Sequence, residues 1–145
     1  MIPLESWPDS SALGLMRVAG PIGSEGRLRF SHCSEESSFW LFYELMYSPR
    51  FALRDVYLSG LPGLYAHCAQ LERLVCINLT DLHVHFLRHS IQMEMFCADW
   101  IFSLFSNSVP LSEMKHIYSE FFRDGWFFFY RFVLTLLQRL EDKLL

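Results

Sequence analysis

The stretch from Trp100 to Trp126 constrains the fold more than any other part of this chain. It reads Trp-Ile-Phe-Ser-Leu-Phe-Ser, then Val-Pro-Leu-Ser, then Ile-Tyr-Ser-Glu-Phe-Phe-Arg-Asp-Gly-Trp. An aromatic, apolar run halts at Ser106-Asn107-Ser108, resumes at Pro110 and halts again at Asp124-Gly125. Proline suits the first turn of a helix, because its missing N–H would have no helical partner there. Glycine suits the stop, because it takes the left-handed conformation that closes a helix. The stretch therefore predicts helix, tight turn, helix, glycine stop, helix. Alternation with period two is found nowhere, so the fold class is all-α.

The helical pattern extends upstream from there. Ser34 is placed to cap a helix whose first turn carries Glu35 and Glu36, where carboxylates suit the dipole. Phe39, Phe42, Tyr43 and Met46 follow at helical spacing, and Pro49 ends that helix. Phe51 to Leu58 predicts a short helix before the Gly60-Leu61-Pro62-Gly63 turn. Leu64, Cys68, Leu71, Leu74 and Val75 form the apolar side of the next. Further helices are predicted over Asp81–His89 and Met93–Phe105. Beyond Pro110, Met114, Ile117, Tyr118, Phe121 and Phe122 give a clear inward face. The last helix runs from Trp126 to Lys143, with Phe128, Phe132, Leu136 and Leu140 on one side. Phe129, Val133 and Leu137 extend that side, and the run Trp126-Phe127-Phe128-Phe129-Tyr130 reads as core, since a helix apolar all round is usually buried.

Residues 1–33 differ: Pro3, Pro8 and Pro21 mix with Gly14, Gly20, Gly23 and Gly26. Only Ala12 to Val18 holds a helical pattern, and the segment is expected to be mostly irregular. Residues 34–145 then make one helical domain, a size the 145-residue chain accommodates.

Composition excludes several function classes. Net charge is −4 with no basic run, which argues against nucleic acid and anionic lipid. The most apolar segment, Trp126 to Leu137, is interrupted by Arg131 and falls short of the roughly 20 residues of a membrane span. Cys33, Cys68, Cys76 and Cys97 include no Cys-x-x-Cys pair. They are expected to be reduced, buried thiols in a cytosolic protein. The N-terminus, Met1-Ile2-Pro3-Leu4-Glu5, has no signal-peptide character.

Other clusters of reactive residues fall short of a site. Asp81, His85 and His89 fall four apart, with His83 nearby, on a conceivable metal face, but zinc needs three or four convergent ligands. His32 beside Cys33 does not make a dyad, since adjacent side chains rarely face each other. Glu35-Glu36 reads as a helix start, and no nucleophile elbow is present. No catalytic, cofactor-binding or metal-ligating residue is assigned.

Taken in order, the pieces resemble the downstream half of a TBC domain, the fold of Rab GTPase-activating proteins. They are Glu35-Glu36-Ser37-Ser38-Phe39-Trp40, Leu61-Pro62-Gly63-Leu64, Asp81-Leu82-His83-Val84-His85-Phe86, Trp100-Ile101-Phe102-Ser103-Leu104-Phe105-Ser106, Val109-Pro110-Leu111 and Ile117 to Gly125. The resemblance covers residues 35–145. It implies a multi-helix orthogonal array, a Rab-type GTPase as partner, and a cytoplasmic protein peripheral on endomembranes. It also implies two catalytic groups. One is an arginine finger in an Ile-x-x-Asp-x-x-Arg motif, a spacing this sequence lacks. The other is a glutamine finger in a Tyr-x-Gln motif, whose positions, counted back from Trp100, hold Met93 and Met95. Gln92 is nearby, but its neighbours do not make the motif and the role is not carried over to it; Arg88, Arg123 and Gln92 are the first residues to examine should hydrolysis be strongly stimulated. The resulting expectation is a chain that is not itself an activator, a silent GTPase-binding module. The alternative is a scaffolding fragment that self-associates or docks on a partner through aromatic helix faces.

Overall fold

The computed structural model describes residues 35–145, and Ser34, His32, Cys33 and the rest of the irregular segment lie outside the described residues. The described residues form helices α1 (Glu35–Tyr47), α2 (Arg54–Tyr57), α3 (Pro62–Asn78), α4 (Thr80–Arg88), α5 (Glu94–Ser103), α6 (Leu111–Asp124) and α7 (Trp126–Leu144), with no strand among them. Helix α3 is the hub and packs against α2, α4, α5 and α7. Its buried Leu64, Cys68, Leu71 and Val75 recur at three- and four-residue spacing, the expected apolar side, with Leu74 half-buried at its edge.

Gly63 explains how α3 meets α2. A Cβ there would lie 2.6 Å from the Asp55 carbonyl carbon and 2.6 Å from the Val56 nitrogen. The first turn of α3 therefore rests directly on the backbone of α2, at a distance only glycine permits. Leu61 enters the turn in the left-handed conformation (φ 52°), and Pro62 opens the helix.

The main differences from the sequence expectation fall at three places. The predicted Phe51–Leu58 helix contracts to Arg54–Tyr57. Ala52 has φ 45°, and Phe51 and Leu53 turn into the core, held by Leu53 N–H donating to the Leu45 carbonyl at 3.0 Å. Helix α5 stops at Ser103 rather than Phe105, because Leu104 (φ 45°) and Phe105 (φ 69°) are both left-handed. That conformation costs roughly 1–2 kcal/mol per residue. Burial of the two side chains, worth about 1.5–3 kcal/mol each, offsets it. Phe105 lands between Phe129 and Phe132 of α7, with centroids at 5.0 and 4.8 Å. Finally, Pro110 stands just before α6 with an extended ψ of 143° rather than inside its first turn.

Gly125 ends α6 and starts α7. It has the expected positive φ (62°), but its ψ of −144° is not the left-handed helical cap. This is a region open essentially to glycine alone, and it lets one residue separate α6 from α7. On α7, Phe129, Val133 and Leu137 are fully buried, whereas Phe128, Phe132, Leu136 and Leu140 are flanking and half-buried. The aromatic run is thus not buried all round: Phe127 is 64% exposed, with the Arg131 guanidinium 5.6 Å from its ring centre. The cysteines also divide. Cys68 and Cys97 are buried, as expected, but Cys76 is exposed.

Candidate functional site

The corner between α4 and α5 holds the positions to which the sequence pointed. Helix α4 turns Leu82 and Phe86 inward. Its end is fixed by backbone bonds: His89 N–H donates to the His85 carbonyl at 3.1 Å, and Ile91 N–H to the Phe86 carbonyl at 2.9 Å. Ser90, with φ 54°, makes the bend between them. Met93 follows with its side chain buried, and its carbonyl accepts from Cys97 N–H at 3.0 Å to start α5. Phe96 of α5 then meets Phe86 at 5.6 Å and Trp100 at 5.5 Å, which locks the corner to the core.

Arg88, Gln92 and Met95 all point outward from this corner, and Met95 is 69% exposed. The two methionines counted back from Trp100 are therefore split: Met93 is buried and Met95 exposed. Met95 is close to glutamine in length and shape, but a thioether is a weak acceptor with no donor, so it cannot orient a water through an amide. Gln92 has that amide, and Arg88 has a guanidinium in the last turn of α4.

Arg123 is committed elsewhere. Its guanidinium bonds both Asp124, at 3.1 Å, and Glu120. Asp124, and then Glu120, hold the Arg123 pKa above its ordinary value, and the Arg123 hydrogen bond holds Asp124 below the usual carboxylate range. Arg50 donates to the Arg123 backbone carbonyl, tying the α1–α2 loop to the end of α6.

The histidine group does not converge. His83 faces Glu72 of α3 at 3.7 Å, while His85 and His89, the residue that follows α4, lie ring to ring at 4.4 Å. Among the described residues no three His, Cys, Asp or Glu side chains gather at metal-binding geometry. Glu36 is exposed at the start of α1. Burial pushes the Cys68 thiol up to about 11 and Cys97 higher still, so both are protonated, unreactive core groups.

One polar cluster was not singled out from the sequence. His67 of α3 stacks on Trp126 of α7 at 3.6 Å between ring centres, and its Nδ1 shares a 2.7 Å hydrogen bond with the Tyr130 hydroxyl. Burial lowers the His67 pKa to about 4 and raises that of Tyr130 to about 12. Trp126 Nε1–H also donates to the Phe51 carbonyl at 2.6 Å. The only sequence signal was Trp126 and Tyr130 spaced four apart, opposite a histidine inside an apolar helix. The cluster is a neutral clamp between α3 and α7.

The model of the Rab-GTPase-TBC domain matches residues 14–145. The chain belongs to the Rab-GTPase-TBC domain family. The TBC match includes the described helices and continues upstream into the segment outside them. Curated relatives include TBC1 domain family member 12 of Xenopus tropicalis, 40% identical over 68 residues, which is 47% of this chain and 10% of that protein. Human TBC1 domain family member 14 is 39% identical over 65 residues, 45% of this chain and 9% of that protein. The GTPase-activating protein GYP5 of Saccharomyces cerevisiae is 28% identical over 111 residues, 77% of this chain and 12% of that protein. The chain thus spans about a tenth of the length of these relatives. No solved structure matches it significantly.

These relatives correct one expectation. The absence of both finger motifs pointed to a chain outside GTPase activation. The TBC family match and the named GTPase-activating relative place it in a family of GTPase activators instead. A motif not found is a statement about particular side chains, not about the class of the domain. Among the described residues no helix is long and apolar enough to cross a membrane.

Proposed function

We propose that this chain forms the downstream, GTPase-contacting part of a Rab GTPase-activating domain, acting in membrane traffic as a cytoplasmic protein peripheral on endomembranes. The observation that carries the reading is the TBC family match over residues 14–145, combined with the all-helical frame that supports it. The α4–α5 corner supports a contact role. It is rigidly held from within, and it presents Arg88, Gln92 and Met95 outward on a short turn.

The chemistry at that corner favours binding over water activation by the family's own groups. GTP hydrolysis builds negative charge on the transferred phosphoryl group, and an arginine supplied in trans is worth about 10³–10⁵ in rate. Met95 offers surface to a partner but no amide for the attacking water. Arg88 and Gln92 are the polar groups within the same turn.

The test is single-turnover GTP hydrolysis by a panel of Rab GTPases with and without the chain, alongside direct binding. Binding with little stimulation supports a contact module. Stimulation by orders of magnitude that collapses in R88A or Q92A assigns the chemistry to those groups and overturns the contact-only reading. Absence of both binding and stimulation across the panel overturns the proposal.

A further inference from the structure

We propose that the outer face of α1 docks an arginine-bearing segment of a partner polypeptide, an interaction separate from the GTPase contact. Glu36, Trp40, Tyr43, Glu44 and Tyr47 fall on one stripe of the helix, and all five are exposed. Trp40 and Tyr43 meet edge to face at 6.0 Å, and Tyr43 and Tyr47 lie 4.8 Å apart, so the rings form a continuous ridge. Leu45 and Met46 take the opposite face into the core. Among the described residues, Trp40 and Tyr43 of the ridge contact only rings of α1 itself, while Tyr47 meets Arg54 of α2.

Charge decides the occupant. Helix α1 contains Glu35, Glu36 and Glu44 and no lysine or arginine. A second copy laid on the same stripe would set carboxylate against carboxylate, which disfavours pairing of two ridges. A guanidinium suits the surface on both counts: it stacks on aromatic faces and pairs with carboxylates. The chain already shows this contact at one end of the ridge, where the Arg54 guanidinium lies 5.7 Å from the Tyr47 ring centre. Lysine, a compact and strongly hydrated point charge, satisfies the carboxylates but stacks less well.

The experiment uses the full chain and a fluorescein-labelled peptide alternating arginine and glycine, followed by anisotropy. A lysine–glycine peptide of equal length is the control. The arginine peptide is expected to bind about threefold more tightly than the lysine peptide, and the W40A/Y43A variant to lose about tenfold in affinity. Both side chains are exposed, so circular dichroism of the variant should match the parent. E44Q, which leaves the rings in place, should lose less. Equal affinity for the two peptides together with an unchanged W40A/Y43A variant would mean diffuse attraction to acidic surface, and overturns the proposal. Arg27 and Arg29 lie in the upstream segment outside the described residues; tighter peptide binding by R27A/R29A would show that these two arginines compete for the ridge, and overturns the assignment to a partner.

Discussion

Gly63→Ala is the most discriminating test of how this domain is assembled. The added methyl carbon would stand 2.6 Å from two backbone atoms of α2 and 2.8 Å from a third, the Asp55 oxygen. Backbone cannot rotate away as a side-chain tip can. Helix α2 is also pinned, because Val56 and Tyr57 are buried and the Tyr57 hydroxyl donates to the Phe102 carbonyl at 2.6 Å. Overpacking costs about 1–3 kcal/mol, and the rigid neighbour puts this site at or above the upper end. Alanine recovers up to about 1 kcal/mol through its better helix propensity. The net expectation is a loss of about 2 kcal/mol, or about 6 °C in melting temperature for a domain of this size. Gly60→Ala is the control: a Cβ there meets nothing within 4 Å, and only the φ of +80° opposes it. It should cost about 1 kcal/mol. Urea unfolding followed by circular dichroism measures both. A Gly63→Ala chain as stable as the parent, or a Gly60→Ala chain damaged more, would refute the argument that backbone contact between α2 and α3 requires glycine.

The His67 clamp predicts a pH dependence. Its folded pKa, about 4, lies below the ordinary 6.5, so the unfolded chain binds the proton first. The contribution is complete above about pH 6.5, is lost as pH falls toward about 4, and is constant below that. The gap between the two values is worth roughly 3 kcal/mol, and the ring's partial contact with water cuts it to about 1–2. Urea midpoints measured across this range should show that slope in the parent and its absence in H67F. W126F removes the donor to the Phe51 carbonyl and is expected to lower stability by about 1–2 kcal/mol, read from the same urea curves. M95Q should leave stability within about 0.5 kcal/mol, since the side chain is exposed. In single-turnover assays it should raise GTP hydrolysis by less than about tenfold, because a supplied amide does not replace the charge of an arginine.

The helices were legible because their apolar positions repeat at helical spacing, and repetition survives without knowledge of neighbours. Leu64, Cys68, Leu71 and Val75 are an example: each is buried, on the face the spacing predicted. What the sequence concealed were places where tertiary packing overrides local pattern. Leu104 and Phe105 continue the apolar run of α5, yet both leave the helix and are buried, Phe105 against Phe129 of α7. The aromatic run on α7 looked uniform, but neighbours cover Phe129 and leave Phe127 open. Likewise the His67 contacts join residues separated by 59 and 63 positions, beyond the reach of any periodicity.

The α4–α5 corner shows the same division on the functional side. Its position was readable by counting back from Trp100, but the count treated Met93 and Met95 alike. Folding distinguishes them. Met93 supplies the buried contact that starts α5, and Met95 occupies the outward place two residues later. Met93 thus belongs to the inner frame of this corner, and Met95 to its outward surface. Such an arrangement separates two properties that motif reading merges: the surface a partner meets depends on the frame, and the chemistry done there depends on the outward side chain. Replacing Met95 therefore tests the outward side chain alone, whereas a polar residue at Met93 would damage the frame. M93Q should lower stability by about 2 kcal/mol or more by burying an amide without assured partners. It should also weaken GTPase binding in parallel. If M93Q and M95Q instead gave equal, small effects on stability, the inward and outward assignments of the two methionines would be wrong.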